Sequence, residues 1–137
     1  MRYLFIFSLL ILISCKPAAA NLTAQQIIDK TIVFSGVDKV VNSEITFKFR
    51  DIQYAAIRKN ESFKLQRYFI KDSIAIVDGL TNNGYERLEN TKRVEVADSM
   101  ISRYSNSINS VHYFSVLPYG LNDKAVQKKK LESSIIK

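Results

Sequence analysis

The middle of the chain alternates apolar and polar side chains with a period of two, which confines it to short strands of a β-sheet. In the segment 43–49, Ile45, Phe47 and Phe49 lie on one face, and the residues between them are polar or charged. One face of the segment 63–69 carries Phe63, Leu65, Arg67 and Phe69. Such strands are typical of an antiparallel sheet that covers a core on one side. The same pattern predicts further strands at 52–58, 74–80, 85–88 and, more briefly, 93–96.

Turn-forming residues separate these segments. Asn82-Asn83-Gly84 predicts a hairpin, because asparagine and glycine tolerate positive φ angles. Asn60-Glu61 and Glu89-Asn90-Thr91 mark two further turns. The segment 52–58 is either a second strand or a continuation of the first strand past a bulge. Short turns join strands that pair with their sequence neighbours, so an antiparallel sheet is expected.

Helices are predicted before and after the strands. The first begins at Thr23, whose spacing from Gln26 matches a capping box. It ends at Gly36, which suits the left-handed C-cap position, and residues 38–41 add one further turn. The chain is therefore expected to be an α+β protein, with an antiparallel sheet packed against one or two helices.

The second helix is expected from Ala97 to about Ser110. Asp98 lies in its first turn, where an acid suits the helix dipole. Its apolar face carries Met100, Tyr104, Ile108 and Val111. An apolar and aromatic run at 112–117 follows, and Pro118 breaks it.

The N-terminal segment is typical of a secretory signal. The eleven residues from Tyr3 to Ile13 are apolar apart from Ser8. This run is too short to span about 30 Å of hydrocarbon at about 1.5 Å per residue. It stops just before Cys15, the single cysteine of the chain, so no intramolecular disulfide is possible.

The sequence Leu12-Ile13-Ser14-Cys15 resembles the lipobox of bacterial lipoprotein precursors. In that family the cysteine thiol is acylated, the signal is cut before the cysteine, and the new amine is acylated too. The resemblance implies a signal peptide at 1–14, lipidated Cys15 with a tether at 15–22, and an α+β domain at 23–137. Stable anchoring takes about two acyl chains, which a lipidated cysteine supplies. The alternative is a buried free cysteine that follows an ordinary signal or anchor helix.

The residue after the cysteine bears on location. It is Lys16 rather than aspartate, and resemblance to Gram-negative sorting rules then implies the outer membrane, with the domain facing the periplasm. The partner implied here is the membrane itself, through the lipid anchor.

The net charge of +7 comes from basic residues that are scattered among acids. This distribution favours a solvated surface over a nucleic-acid interface. The residues assigned to that surface are Lys48, Arg50, Arg58, Lys59, Lys64, Arg67, Arg87, Lys92 and Arg93. The single dense run is Lys128-Lys129-Lys130, for which attraction to acidic lipid head groups is the functional alternative.

The titratable residues indicate no catalytic site. His112 is the only histidine, so it is interpreted as a structural or cavity-lining residue, and neither a metal site nor a cofactor is expected. Two pairs of acids, Glu86 with Glu89 and Asp72 with Asp78, are expected at turns on the surface. The protein is therefore predicted not to be an enzyme.

The aromatic residues are the best candidates for a binding role. They are interpreted either as plain core packing or as the lining of an apolar cavity. The candidate cavity residues are Phe47, Phe49, Phe63, Phe69, Tyr104, Tyr113 and Phe114. In addition, Ser73 and Ser99 lie in three-residue patterns that resemble O-glycosylation sites of Bacteroidota exported proteins.

Two resemblances extend over the mature chain. Gly36-Val37-Asp38-Lys39 followed by residues 45–49 resembles the entry of periplasmic lipoprotein-carrier (Lol-type) domains, which implies a curved sheet, a partial half-barrel, around a greasy cavity. Residues 23–30, 49–51 with 57–58, 96–100 and, most clearly, 110–126 resemble a family of uncharacterised Bacteroidota lipoproteins. Members of that family look longer, so the domain is expected to be incomplete. The second resemblance implies fold and envelope location but no activity.

Three hypotheses follow. The first is a membrane-anchored lipoprotein that binds an apolar ligand or another lipoprotein. The second is a structural or interaction module of the cell envelope without a ligand cavity. The third, an enzyme, has the least support. The volume of a cavity distinguishes the first two.

Overall fold

A computed structural model describes residues 21–132, which form an α+β fold with a six-stranded antiparallel sheet. The strands lie in sequence order and the sheet is curved and open, so the predicted fold class is confirmed. Helix α1 spans Ala24–Ser35 and helix α2 spans Asp98–Ser115. The strands are β1 Ser43–Phe49, β2 Ile52–Lys59, β3 Ser62–Lys71, β4 Ile74–Thr81, β5 Gly84–Glu89 and β6 Lys92–Val94. Two 3₁₀ segments lie at Val37–Asn42 and Tyr119–Asn122.

Two-residue turns join the strands, and the turns predicted around Asn60-Glu61 and Asn90-Thr91 are among them. A turn at Arg50-Asp51 makes 52–58 part of a separate second strand and not a continuation of the first. The turn residues Asn60 and Glu61 have φ angles of 49° and 66°, and those of the turn Asn90-Thr91 are also positive. Such turns match the right-handed twist of the strands that they join. The hairpin at 82–84 is confirmed too, but Gly84 takes the positive φ of 113° and the asparagines do not.

Helix α1 begins and ends as its caps predict. Thr23 Oγ1 accepts a hydrogen bond from the Gln26 N–H, and Gln26 Oε1 accepts one from the Thr23 N–H. Gly36 closes the helix at a φ angle of 66°. Phe34 is 95% exposed, and α1 packs mainly against the two 3₁₀ segments. Within residues 21–132, no helix is long and apolar enough to cross a bilayer.

Helix α2 is longer than predicted. The expected end near Ser110 was wrong, because the helix continues through Ser115. His112 follows Ile108 by four residues, so it extends the same buried face for another turn. The helix ends before Pro118, whose ring disfavours helical geometry at the preceding residue.

The core lies between α2 and the inner face of the sheet. Ile108 is fully buried, and it packs with Ala56 of β2 and Leu65 of β3. Phe63, Leu80 and Tyr85 surround this cluster. The helix therefore rests on the middle strands and leaves space beside its C-terminal half.

Candidate functional site

A groove of about 430 Å³ lies beside the C-terminal half of α2. The β2–β3 hairpin forms one wall, and the Tyr119–Asn122 segment lies across from it. The apolar part of its lining consists of Val41, Phe63, Leu65, Tyr113 and Val116. Six polar side chains line the rest of the groove, so it combines apolar surface with groups that can orient a ligand; they are Arg58, Glu61, Ser62, Asn109, His112 and Asp123.

Arg58 projects from β2 into this groove. Tyr54 and Ala56, which share its strand face, are both buried. No described residue hydrogen bonds to Arg58 Nη1, although this atom is buried. Burial lowers the pKa of Arg58, while nearby Tyr119 raises it. Arginine has so high an ordinary pKa that it stays protonated at neutral pH, so the groove holds a cation with open donor capacity.

His112 lies at the inner end of the groove and is only 1% exposed. Its Nε2 is 3.1 Å from the Gln66 carbonyl oxygen. Because a carbonyl only accepts, Nε2 carries the proton and Nδ1 is left as an acceptor. Within the described part of the chain, Nδ1 has no partner.

The surroundings of His112 favour its neutral form. The rings of Phe47 and Tyr54 contact the imidazole edge-on, at centroid distances of 5.7 and 5.5 Å. Burial lowers the pKa of His112, the Gln66 carbonyl raises it, and the charge of Arg58 lowers it. The net shift is downward, so Arg58 supplies the positive charge of this end of the groove at neutral pH.

A second polar cluster is buried under the middle of α2. Asp78 is 0% exposed and accepts hydrogen bonds from two arginines on the flanking strands. Arg67 Nη2 lies 2.7 Å from Asp78 Oδ2, and Arg87 Nε lies 2.7 Å from Oδ1. The Tyr85 hydroxyl donates to Oδ1 at 2.6 Å. The carboxylate is therefore saturated by strong donors.

Helix α2 completes this ionic cluster. Arg67 Nη1 donates to Ser107 Oγ at 3.0 Å, and the Arg87 guanidinium lies 4.3 Å from the centre of the Tyr104 ring. Burial alone would raise the pKa of Asp78, but the hydrogen bonds from Arg87, Tyr85 and Arg67 outweigh it and hold the pKa below its usual value. With every acceptor site occupied, the cluster fastens the sheet to the helix and does not present a free reactive group.

The structure corrects the interpretation of the charged residues. The expectation that Asp78 lies at a surface turn was wrong, since it is buried within β4. Glu86 and Glu89 also lie within β5 and are half-buried, whereas Asp72 does occupy a turn. The expectation of a solvated surface was also wrong for several basic residues: Arg67 is buried, and Arg58, Lys64 and Arg87 are half-buried.

A signal for this burial is present in the sequence. Residues two apart in a strand share a face. Asp78 therefore shares a face with Ile74, Ile76 and Leu80, and Arg67 shares a face with Phe63 and Leu65. Alternation therefore placed these charges on the core face, but general exposure preferences argued for the surface. The same spacing of two puts Arg58 on the strand face of Tyr54 and Ala56.

The predicted aromatic cavity residues are spread over several places. Phe63 and Tyr113 line the groove. Phe47 stacks on Tyr54, and Tyr104 covers the ionic cluster. The remaining three do not line the groove, and they are Phe49, Phe69 and Phe114. Sequence reasoning missed Val41, Val116 and Tyr119 as groove residues, because their proximity depends on how the 3₁₀ segments fold back.

Other predicted sites are placed only in part. The lipobox residues Leu12, Ile13 and Ser14 and the acylation site Cys15 lie outside the described residues. Ser73 and Ser99 are both exposed. Among residues 21–132, no group of three or more metal-ligating side chains is close enough to hold an ion.

No curated protein and no solved structure matches the chain significantly. One family model, described as "Family of unknown function (DUF6503)", matches residues 2–137. This span includes both helices, all six strands and the groove, in agreement with the resemblance to an uncharacterised family. The chain therefore belongs to the family of unknown function DUF6503.

Proposed function

We propose that this protein binds a ligand with an apolar body in the groove beside α2, while a lipid anchor at Cys15 holds it at the bacterial envelope. The observation that carries the ligand proposal is the groove of about 430 Å³ with its apolar lining. Small-molecule sites typically measure about 300–1,000 Å³ and combine apolar walls with a few polar groups. In this proposal the protein binds its ligand without transforming it.

Apolar contact supplies the main driving force. Burial of ligand surface against Phe63, Leu65 and Val116 contributes about 25 cal/mol per Å², before the cost of ordering the ligand. The groove is open to solvent along one side, so a ligand can enter without unfolding of the sheet.

The anchor proposal depends on the lipobox resemblance. Cys15 precedes the start of α1 at Ala24 by nine residues. An extended linker of that length reaches at most about 30 Å. A lipidated Cys15 would therefore keep the groove close to the membrane surface, which is where apolar ligands are concentrated. Outer-membrane location with a periplasm-facing domain is part of this proposal.

Intact mass spectrometry of the membrane-extracted protein tests the anchor, with Cys15→Ala as the comparison. We expect a mature species that begins at Cys15 and carries added acyl mass, and we expect this mass to be absent from the variant. An unmodified chain that keeps Met1, or normal lipidation in Cys15→Ala, would contradict the anchor proposal.

A fluorescent acyl-chain probe tests ligand binding to the purified full chain. Val41 lines the groove and is 43% exposed, so Val41→Trp adds bulk there without disturbing the core. Ile57 is 44% exposed on the other face of the sheet, and Ile57→Trp is the matched control. We expect saturable binding that weakens about tenfold or more in Val41→Trp, which corresponds to the loss of about 1.4 kcal/mol, and that persists in Ile57→Trp.

The two negative outcomes have different meanings. Absence of saturable binding by the unmodified chain would contradict the ligand proposal and favour a structural or interaction module. Equal binding by both tryptophan variants would place the probe elsewhere on the protein.

A further inference from the structure

The groove contains a positive charge, that of Arg58, with which no other described residue pairs. Arg58 makes no hydrogen bond or ion pair with another described residue, and its Nη1 is buried. The two other arginines on the core face, Arg67 and Arg87, are both paired with Asp78. A buried donor without a partner has lost its hydrogen bonds to water and gained none in return. Arg58 is therefore the core-facing cation that gains most from an added anion.

The surrounding charges restrict the anion to a single negative charge. Glu61 and Asp123 also line the groove, and neither forms an ion pair with Arg58. His112 adds no charge at neutral pH, because its surroundings favour the neutral ring. A group with two negative charges would face one guanidinium and two carboxylates, whereas a monoanion can approach Arg58 and stay clear of both acids.

The shape of the guanidinium selects among monoanions. Its planar fork of N–H groups matches the two oxygens of a carboxylate, which can accept two parallel hydrogen bonds. The apolar side chains Phe63, Leu65 and Val116 line the same groove. A ligand that matches both the Arg58 guanidinium and these apolar side chains has a carboxylate at one end and a hydrocarbon body behind it.

We propose that the ligand of this groove is a long-chain carboxylate of the fatty-acid type, whose head group is bound by Arg58 and whose chain lies along Phe63, Leu65 and Val116. This inference rests on the proposed function and adds the class of ligand. Arg58 acts as the specificity-determining residue, and the apolar walls supply most of the affinity.

Competition against the acyl-chain probe tests the head-group preference. Dodecanoate, dodecanol and dodecylammonium have the same chain and differ in charge. We expect dodecanoate to displace the probe at a concentration about tenfold or more below that of dodecanol, and dodecylammonium to be the weakest. Equal displacement by dodecanoate and dodecanol would overturn the inference and leave the proposed function standing. No displacement by any of the three would contradict the proposed function itself.

Variants of Arg58 connect the preference to this residue. Arg58→Gln should remove the advantage of dodecanoate while dodecanol still binds, and Arg58→Lys should retain part of it because the charge remains. Lys59→Gln removes a cation from the opposite face of the same strand and should change nothing. Circular dichroism verifies that each variant is folded. If Arg58→Gln is not folded, Arg58→Lys is the test, and a dodecanoate advantage that is undiminished in Arg58→Lys would overturn the assignment. A preference for dodecanoate that survives in Arg58→Gln would overturn the assignment.

A competition experiment with lipid vesicles distinguishes a free fatty acid from a membrane lipid as the ligand. Phosphatidylglycerol also carries one negative charge, on a phosphodiester instead of a carboxylate. We expect dodecanoate to displace the probe at a lower concentration than accessible phosphatidylglycerol in vesicles. The reverse order would assign the groove to a phospholipid head group and overturn the fatty-acid inference.

Discussion

Replacement of Asp78 by asparagine should destabilise the protein strongly, because it removes the only counter-charge recorded for two buried arginines among the described residues. Asp78 accepts hydrogen bonds from Arg67, Arg87 and Tyr85, with distances between 2.6 and 3.0 Å. The side chains of Arg67 and Arg87 are only 10% and 13% exposed, so water cannot replace the carboxylate. Asparagine keeps one acceptor oxygen but turns an NH₂ group toward the guanidinium donors.

The magnitude follows from the type of interaction that is lost. Removal of one partner from a buried ion pair costs about 3–5 kcal/mol, because the remaining charge stays buried without compensation. A domain has a total stability of only about 5–15 kcal/mol. For a domain of this size, the melting temperature should fall by roughly 10–20 °C.

Urea unfolding followed by far-UV circular dichroism measures this loss, since the chain has no tryptophan for fluorescence. Asp72→Asn is the matched control, because Asp72 lies exposed in a turn at a φ of 50° that asparagine also tolerates. This control should change the free energy of unfolding by less than about 0.5 kcal/mol. The triple variant Asp78→Leu with Arg67→Met and Arg87→Met should recover most of the stability, because well-packed apolar groups replace buried ion pairs at little cost.

The reasoning would be refuted by a small effect. If Asp78→Asn loses less than about 1 kcal/mol, the two guanidiniums must be solvated or paired in another way. A triple variant that is less stable than Asp78→Asn would show that the cluster stabilises the fold through its hydrogen bonds and not through charge compensation.

Three further predictions concern the core and the groove. Because burial lowers the pKa of His112, the unfolded chain binds its proton first, so stability should fall below about pH 6.5 by at most about 1.4 kcal/mol per pH unit; urea titrations should lack this phase in His112→Gln. Ile108→Ala empties a fully buried position and should cost about 2–5 kcal/mol in the same assay, and a loss below about 1 kcal/mol would contradict this packing. A Cβ atom at Gly120 would overlap the Tyr113 ring, so Gly120→Ala should displace that ring and weaken probe binding, whereas unchanged binding would show that the ring does not shape the groove.

Much of the fold could be predicted from local sequence. The period-two alternation placed the strands, and the turn residues placed the hairpins, because both are properties of a few adjacent residues. The capping box at Thr23 and the C-cap at Gly36 are local in the same way. The end of α2 was missed because His112 and its neighbours are apolar or aromatic enough to suit a strand, and contact with the sheet decided in favour of the helix.

The groove and the ionic cluster depend on distant residues and could not be predicted in this way. The alternation in β4 indicated that Asp78 faces the core. No pattern of adjacent residues showed that Arg67 and Arg87 lie directly opposite it on the neighbouring strands. The groove requires the Tyr119–Asn122 segment to lie near Arg58, a contact between residues about sixty positions apart in the chain. Such proximity depends on how the sheet and the helix assemble. The periodicity of the sequence shows only which face of a strand a side chain occupies.

The ionic cluster also determines how the strands can be aligned. In the observed sheet, Asp78 is the cross-strand partner of Arg67 on one side and of Arg87 on the other. A slip of β4 by one residue would turn Asp78 toward solvent and leave two cations in the core. A slip by two residues would keep Asp78 inside but set it opposite Leu65 or Phe69. Misaligned hairpins are thus penalised by several kcal/mol, and the loss of Asp78 should yield a mixture of strand alignments as well as a less stable protein.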